Sequence, residues 1–310
     1  MSCLLKRSGL LSNSLMMIRF VPENSKPSIN LFHYEQSHHL VREGQFALGA
    51  GGVRRGQQAW QRCKPVFLLA SASEVFFLSL SHYYHFCIKK LNIDSNMLIL
   101  EIGSGIGGPA RHIANETGAT VIALELQSDQ NKLASDLTRR CGLSEKVIHV
   151  CGDFLTYDWR GKKFDAIVSW LALYHIKDHD TLLQKSFDLL NPNGLFYAED
   201  LISRHPFNKN ELVELSREIF ANYLPNNKTY KSELEKKGFD VSLYQDMSYN
   251  WTKVARDRIA SYINKKDRHI RVHGKDVVNG LISFYSFTDR YFSSGKLGGI
   301  RTIARKNSTI

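Results

Sequence analysis

Cysteine is scarce and unpatterned in this chain. Its 310 residues hold five (Cys3, Cys63, Cys87, Cys141 and Cys151), an odd number without the spacing of a metal site. That argues against a disulfide scaffold and against a bound metal, so the thiols read as reduced, in a cytoplasmic setting. Cys141 and Cys151 flank a predicted strand and read as core fillers. There is no internal repeat and no low-complexity block. No basic motif interleaved with aromatics appears either, which speaks against a nucleic-acid partner. Acid is missing from the first 22 residues, where Lys6, Arg7 and Arg19 stand among serines and leucines. Two readings stay open for that segment, a flexible start and a mitochondrial targeting segment.

What is present is the balance of an ordinary soluble protein, 43% hydrophobic and 23% charged. The net charge of +11 is unevenly spread. Residues 251–310 hold 13 Lys or Arg against 4 Asp or Glu, and residues 1–64 hold 9 against 3, so the middle of the chain is mildly acidic. Basic flanks around an acidic core point to an anionic small molecule or an anionic surface.

The chain is organised around Leu98-Ile-Leu-Glu101-Ile-Gly103-Ser104-Gly105-Ile-Gly107-Gly108-Pro109. An apolar run leads into four glycines in six residues, and helix-permitting sequence follows. The pattern is strand, tight turn, helix N-terminus. About 22 residues beyond Gly103, a second apolar run, Val121-Ile-Ala-Leu124, ends in Glu125, placed to accept the hydroxyls of a ribose. Gly103, Gly105 and Gly108 also satisfy the dinucleotide fingerprint. Glu101 weighs against that reading, because a negative charge inside the turn repels a pyrophosphate and suits a cationic ligand. A third strand, Val147-Ile-His-Val-Cys-Gly-Asp153-Phe154, ends in an acid beside an aromatic. That pair can accept from an adenine amino group and cover its ring.

With these motifs the sequence resembles the class I S-adenosylmethionine-dependent methyltransferases. The E-x-G-x-G-x-G run, the acid after the second strand and the Gly-Asp-Phe after the third all match, best over residues 91–200. The resemblance implies an α/β, Rossmann-like, doubly wound fold. Its seven-stranded sheet is mostly parallel with an antiparallel last strand, under a helical lid. It also implies S-adenosylmethionine as cofactor, held by Glu101, Gly103, Ser104, Gly105, Gly107, Glu125, Leu126, Asp153 and Phe154. The remaining elements fit: a helix over Asp129 to Arg140, a strand over Phe164 to Trp170, a sharp turn at Asn191-Pro-Asn-Gly194 and strands over Leu195–Glu199, Phe239–Tyr244 and Gly298–Ala304. Helices are predicted over Asn210–Tyr223, Tyr230–Lys237, Trp251–Lys266 and Val277–Phe292.

The layout expected is a flexible or targeting segment over 1–22, an N-terminal helical lid over 23–90 to which Tyr34 could belong, and the methyltransferase domain over 91–310. Within the lid, 65–88 carries a single charge, Glu74, over a length that can span a bilayer. Its serines and His82 and His85 weaken a spanning reading. An insertion, a buried helix and a membrane-leaning segment remain its three readings.

Methyl transfer is a displacement governed by positioning. Ser169-Trp-Leu-Ala-Leu-Tyr174-His175 falls at the carboxyl edge of the sheet, where open α/β sheets bind ligands. It is similar to the matching stretch of phosphoethanolamine methyltransferases, in which a histidine here works with a lid tyrosine. The sarcosine–dimethylglycine and sterol–tocopherol groups often carry a histidine here too. His175, with Tyr174 beside it, is therefore the candidate catalytic pair. The activity expected is N-methylation of a small amine, with an anionic group held by Arg or Lys from 251–310, among them Arg256, Arg258, Arg268, Arg271 and Arg290. The alternatives are C- or O-methylation of a lipid-like or sterol-like acceptor, and a non-catalytic scaffold that binds the cofactor.

Overall fold

The computed structural model describes residues 84–307. The expectations for 1–22, for Tyr34 and for 65–83 of the apolar stretch lie outside the described residues. No described helix is long and apolar enough to cross a membrane.

The first described helix, α1, covers 84–91. Then follow β1 (Leu98–Ile102), α2 (Gly108–Thr117), β2 (Thr120–Glu125), α3 (Ser128–Arg140), β3 (Val147–Cys151) and β4 (Phe164–Trp170). A 3-10 turn at Leu173–His175 leads to α4 (His179–Leu189), β5 (Leu190–Ser203), α5 (Lys209–Glu218), α6 (Tyr230–Lys236) and β6 (Phe239–Asp246). The chain finishes through α7 (Ser248–Asn264), α8 (Lys266–His273), α9 (Lys275–Ser293) and β7 (Leu297–Lys306). The seven strands form one sheet in the order β3-β2-β1-β4-β5-β7-β6. Only β7 runs antiparallel to its neighbours, and it lies between β5 and β6.

The apolar runs explain the centre of this sheet. Strands covered on both faces need apolar side chains at successive positions rather than at alternate ones. In β1, Leu100 and Ile102 join Ile122, Leu124, Phe164, Ile167 and Phe196 on one face. Ile99 joins Val121, Ala123, Ala166, Val168 and Tyr197 on the other. The alternation of side chains along a strand makes these two separate cores. Tyr84, Cys87 and Leu91 of α1 are buried in the second core beside Ile113 and Ala114 of α2. A domain start at residue 91 therefore falls inside a packed helix.

Asn191–Gly194 makes its turn inside the range of β5: Leu190 pairs with Phe164 and Leu195 with Ala166, so the four residues between them loop out, with Asn193 at φ +62°. Two further expectations change. The basic stretch after Asn264 forms a helix of its own, α8, which Ile270 and Val272 were too few to announce. Cys141 is buried as expected, but Cys151 is exposed at the strand end, not a core filler.

Candidate active site

The order of strands changes direction between β1 and β4, and ligands of open α/β sheets bind in the crevice at such a point. The glycine turn after β1 forms its floor. Gly103, Gly105 and Gly107 all have positive φ, near +71°, +53° and +74°. A side chain at Gly103 would meet Ala172, and one at Gly107 would meet His149 and Arg111. Glycine is required at both places by conformation and by space.

Two polar groups under this turn are buried without a full set of partners. Oε2 of Glu101, 1% exposed, and Oγ of Ser104 have no hydrogen-bond partner among the described residues. Burial pushes the Glu101 carboxyl well above its ordinary range, and the buried Arg111 guanidinium pulls it back. A buried polar atom left unpaired is costly. A ligand that brings an ammonium group and hydroxyls to this turn meets that need, as S-adenosylmethionine would, and the residues present fit it.

Glu125 closes the turn from the second strand. Its Oε2 accepts from the Gly105 N–H at 2.8 Å and its Oε1 from the Gln127 N–H at 2.9 Å. The acid expected to hold a ribose therefore also fastens the glycine loop. Leu126 next to it is 57% exposed, an apolar surface on the rim of the kind a purine face needs. Asp153 is exposed, with Oδ1 accepting from the Leu155 N–H. Phe154 departs from expectation. It is 3% exposed and packs into the core, so it does not cover an adenine ring.

The Tyr174–His175 turn stands across the crevice and is held from two sides. From β5, Oδ2 of the buried Asp200 accepts from the Tyr174 N–H at 2.9 Å. From the segment after α5, the N–H groups of Asn222 and Tyr223 both donate to the Tyr174 carbonyl at 3.0 Å. Nδ2 of Asn222 donates to the His175 carbonyl at 2.8 Å. Leu171 and Phe220, on the two sides of the clamp, both have positive φ without being glycine. Burial pushes Asp200 up to about 7, against the N–H groups it accepts from.

The ring of His175 is oriented by the same clamp. Nδ1 lies 2.8 Å from the Phe220 carbonyl oxygen, and Nε2 has no hydrogen-bond partner among the described residues. Burial pushes its pKa down to about 4, so the imidazole is neutral near pH 7. The Tyr174 ring lies 3.8 Å from it, centroid to centroid. Tyr174 is itself buried with Leu201, Tyr291 and Phe292, and with Phe207 and Trp251 at the edge.

The basic residues of 251–310 are placed differently from expectation. Arg256 pairs with Asp289 at 3.0 Å and bonds the Ser293 hydroxyl. Arg290 pairs with Glu214, and Arg258 is buried in a bond to Tyr262. Arg268 and Arg271 lie on the exposed side of α8. Of these five only Arg258 is buried, while Arg256 and Arg290 are exposed and sit in ion pairs.

Arg111, Asp200 and Asn222 were not singled out in the sequence. A lone arginine on the apolar face of α2 and two acids inside the apolar run of β5 were signals for the first two. Asn222 gives none, because its role exists only once the chain has folded back. Among the described residues there is no group of three or more His, Cys, Asp or Glu able to hold a metal.

A family model described as mycolic acid cyclopropane synthetase matches residues 81–300. The sterol 24-C-methyltransferase of Clavispora lusitaniae is 28% identical over 185 residues, 56% of this chain and 48% of that protein. The chain spans about half the length of the curated relatives it matches. Among solved structures, a putative sarcosine dimethylglycine methyltransferase from Galdieria sulphuraria superposes with TM-score 0.65 at 18% identity, covering 75% of this chain and 86% of that one. Phosphoethanolamine N-methyltransferase 2 of Haemonchus contortus, solved with S-adenosyl-L-methionine, gives 0.66 at 22% identity, over 73% and 52%. At these identities the two structures establish a shared fold, that of the class I methyltransferases.

Proposed function

The chain belongs to the mycolic acid cyclopropane synthetase family, and from that premise we propose that it is an S-adenosylmethionine-dependent methyltransferase that methylates a carbon of an apolar, lipid-like acceptor. One observation carries the choice of acceptor. The wall packed around Tyr174, beside the candidate base, is aromatic and apolar, built from Phe207, Trp251, Tyr291 and Phe292. The similarity to a sterol 24-C-methyltransferase supports the same reading.

The side chains have definite tasks in such a reaction. When bound, S-adenosylmethionine would supply an electrophilic methyl group, and Glu101, the glycine turn and Glu125 would hold and orient it. Methyl addition to an alkene carbon leaves its neighbour cationic. Electron-rich ring faces such as that of Tyr174 stabilise a cation in a dry site. A proton must then leave the acceptor, and the free lone pair on His175 Nε2 is suited to take it. The buried aromatic wall excludes water, which would otherwise capture the cation.

N-methylation of a small anionic amine keeps the His175 base but loses its anion holders, since Arg256, Arg258 and Arg290 are committed elsewhere. The experiment is a release assay for S-adenosylhomocysteine with unsaturated sterols and fatty acyl lipids in detergent micelles beside phosphoethanolamine and sarcosine. The expected product is a lipid with a new carbon-bound methyl, seen by mass spectrometry. Turnover of the amines alone would overturn the reading. Tight cofactor binding with no turnover of any acceptor would favour the scaffold instead.

A further inference from the structure

α7 and α9 lie against each other, and α8 packs on both. One end of the pair is part of the active-site wall, through Trp251, Tyr291 and Phe292 around Tyr174. The other end has its own core of Ala255, Tyr262, Val278 and Tyr285. At 1.5 Å per residue, the 12-residue separation of Trp251 and Ile263 along α7 puts the wall and the tip about 18 Å apart. α8 sits at the far end, with His269 buried beneath it.

The outer surface of that far end is basic and partly apolar. Every residue from Ile263 to Arg268 is exposed, as are Arg271, Val272 and Lys275. Ile263 to Arg268 line an open depression of about 470 Å³. Lys265, Lys266, Arg268, Arg271 and Lys275 form no ion pair among the described residues, in contrast to Arg256 and Arg290 nearer the site. Against these five cations stand Asp267 and Asp276. On α8, Arg268, Arg271 and Val272 share one helix face, spaced i, i+3 and i+4. Ile263 and Val272 are 54% and 48% exposed.

We propose that this tip is a docking surface for an anionic phospholipid bilayer, bringing the aromatic wall of the site to the membrane. The proposal rests on the lipid-like acceptor of the preceding section, since it names the place from which that acceptor would be drawn. Charge complementarity selects an anionic surface. The two apolar side chains among the cations select a bilayer over a nucleic acid, because an interface accepts Ile and Val beside Lys and Arg. Phosphates of a nucleic acid would leave both in water.

The test is co-sedimentation of the full chain with phosphatidylcholine vesicles, with and without phosphatidylserine. Each cation near an anionic leaflet raises partitioning about fivefold. Lys265→Glu/Arg268→Glu/Arg271→Glu should therefore lower binding to the anionic vesicles by roughly a hundredfold or more. Ile263→Ser/Val272→Ser should also lower it, and unchanged cofactor affinity in both variants shows that they fold. Equal binding to neutral and anionic vesicles by the unaltered chain would overturn the proposal, as would full binding by the charge variant. So would a duplex DNA probe that binds the tip while Ile263→Ser/Val272→Ser leaves vesicle binding intact. Turnover separates the two readings. With the acceptor in neutral detergent micelles, the charge variant should match the unaltered chain, and with the acceptor in anionic vesicles it should lag. Vesicle binding that depends on the tip, without turnover of any lipid, would sink the acceptor and leave the docking surface standing.

Discussion

Nδ1 of His175 faces the carbonyl oxygen of Phe220 at 2.8 Å, and that one bond decides which ring nitrogen is available. A carbonyl can only accept, so Nδ1 carries the hydrogen and Nε2 carries the lone pair. His175→Ala should lower kcat by about a hundredfold or more while the Kd for S-adenosylmethionine, read by calorimetry, stays the same. Because burial pushes the pKa of this ring down to about 4, its loss of function on acidification should come only near that pH. A rate that halves near pH 6.5 would show a different base.

Asn222 tests the clamp rather than the chemistry. Asn222→Ala removes the bond from Nδ2 to the His175 carbonyl, worth about 0.5–1.5 kcal/mol as an ordinary hydrogen bond. The expected result is a fall in kcat of roughly 2- to 12-fold by that figure, with cofactor affinity unchanged. A fall as deep as that of His175→Ala would assign Asn222 a direct part in the reaction.

Glu125→Ala takes away the proposed contact to the cofactor and both carboxylate bonds to the Gly105 and Gln127 N–H groups. Hydrogen bonds to a charged group are worth about 1.5–3 kcal/mol, and cofactor affinity should weaken by at least that amount. Unchanged binding in a titration would remove Glu125 from the site.

Phe154 separates a core residue from a ligand contact. Phe154→Ala should cost about 3–5 kcal/mol of stability in denaturant unfolding, as for a buried aromatic. Phe154→Leu should recover most of that and keep the cofactor Kd. A large loss of affinity in the leucine variant would restore the ring-covering role.

Acid should unfold the protein early. Burial pushes His112, His149, His175 and His179 each down to about 4 from an ordinary value near 6.5. A depressed pKa means that the unfolded chain binds more protons in between, so stability is held above pH 6.5 and lost as the pH falls towards 4. Asp200 works in the opposite direction. Its pKa is raised to about 7, so its term favours the fold at low pH and fades as the pH climbs through 7. The buried Glu101 and Glu199, also pushed up by burial, act with it, but four histidines outnumber the three carboxyls, and Tm should fall between pH 6.5 and 4. His179→Gln should flatten that slope.

The parts of the fold written in local pattern were readable in advance. The run from Leu98 to Pro109 fixed a strand, a turn and a helix, because glycine spacing and apolar continuity are local properties. β4 came out residue for residue, and α3 to within one, since both end on clear signals. Phe154 was misplaced because an aromatic after a strand can turn either way, and only packing against Phe164 and Leu182 decides it. The arginines of 251–310 counted as free charge in the sequence, whereas their partners, Asp289 and Glu214, are distant in the chain or on other helices. The clamp on His175 joins segments 45 residues apart, which no periodicity reports.

The place of β7 has a consequence for how the protein is made. β7 lies between β5 and β6 yet follows both in the chain, pairing Leu195 with Arg305 and Phe239 with Lys306. As the polypeptide leaves the ribosome, β5 waits with an open edge while α5 to α9 are still being synthesised. An unpaired strand edge of this kind templates association with other chains. The helices of the wall are therefore synthesised before the sheet they pack on can close. Slow emergence of β7 prolongs the aggregation-prone interval, and a binding factor that covers β5 during synthesis would raise the yield of folded protein.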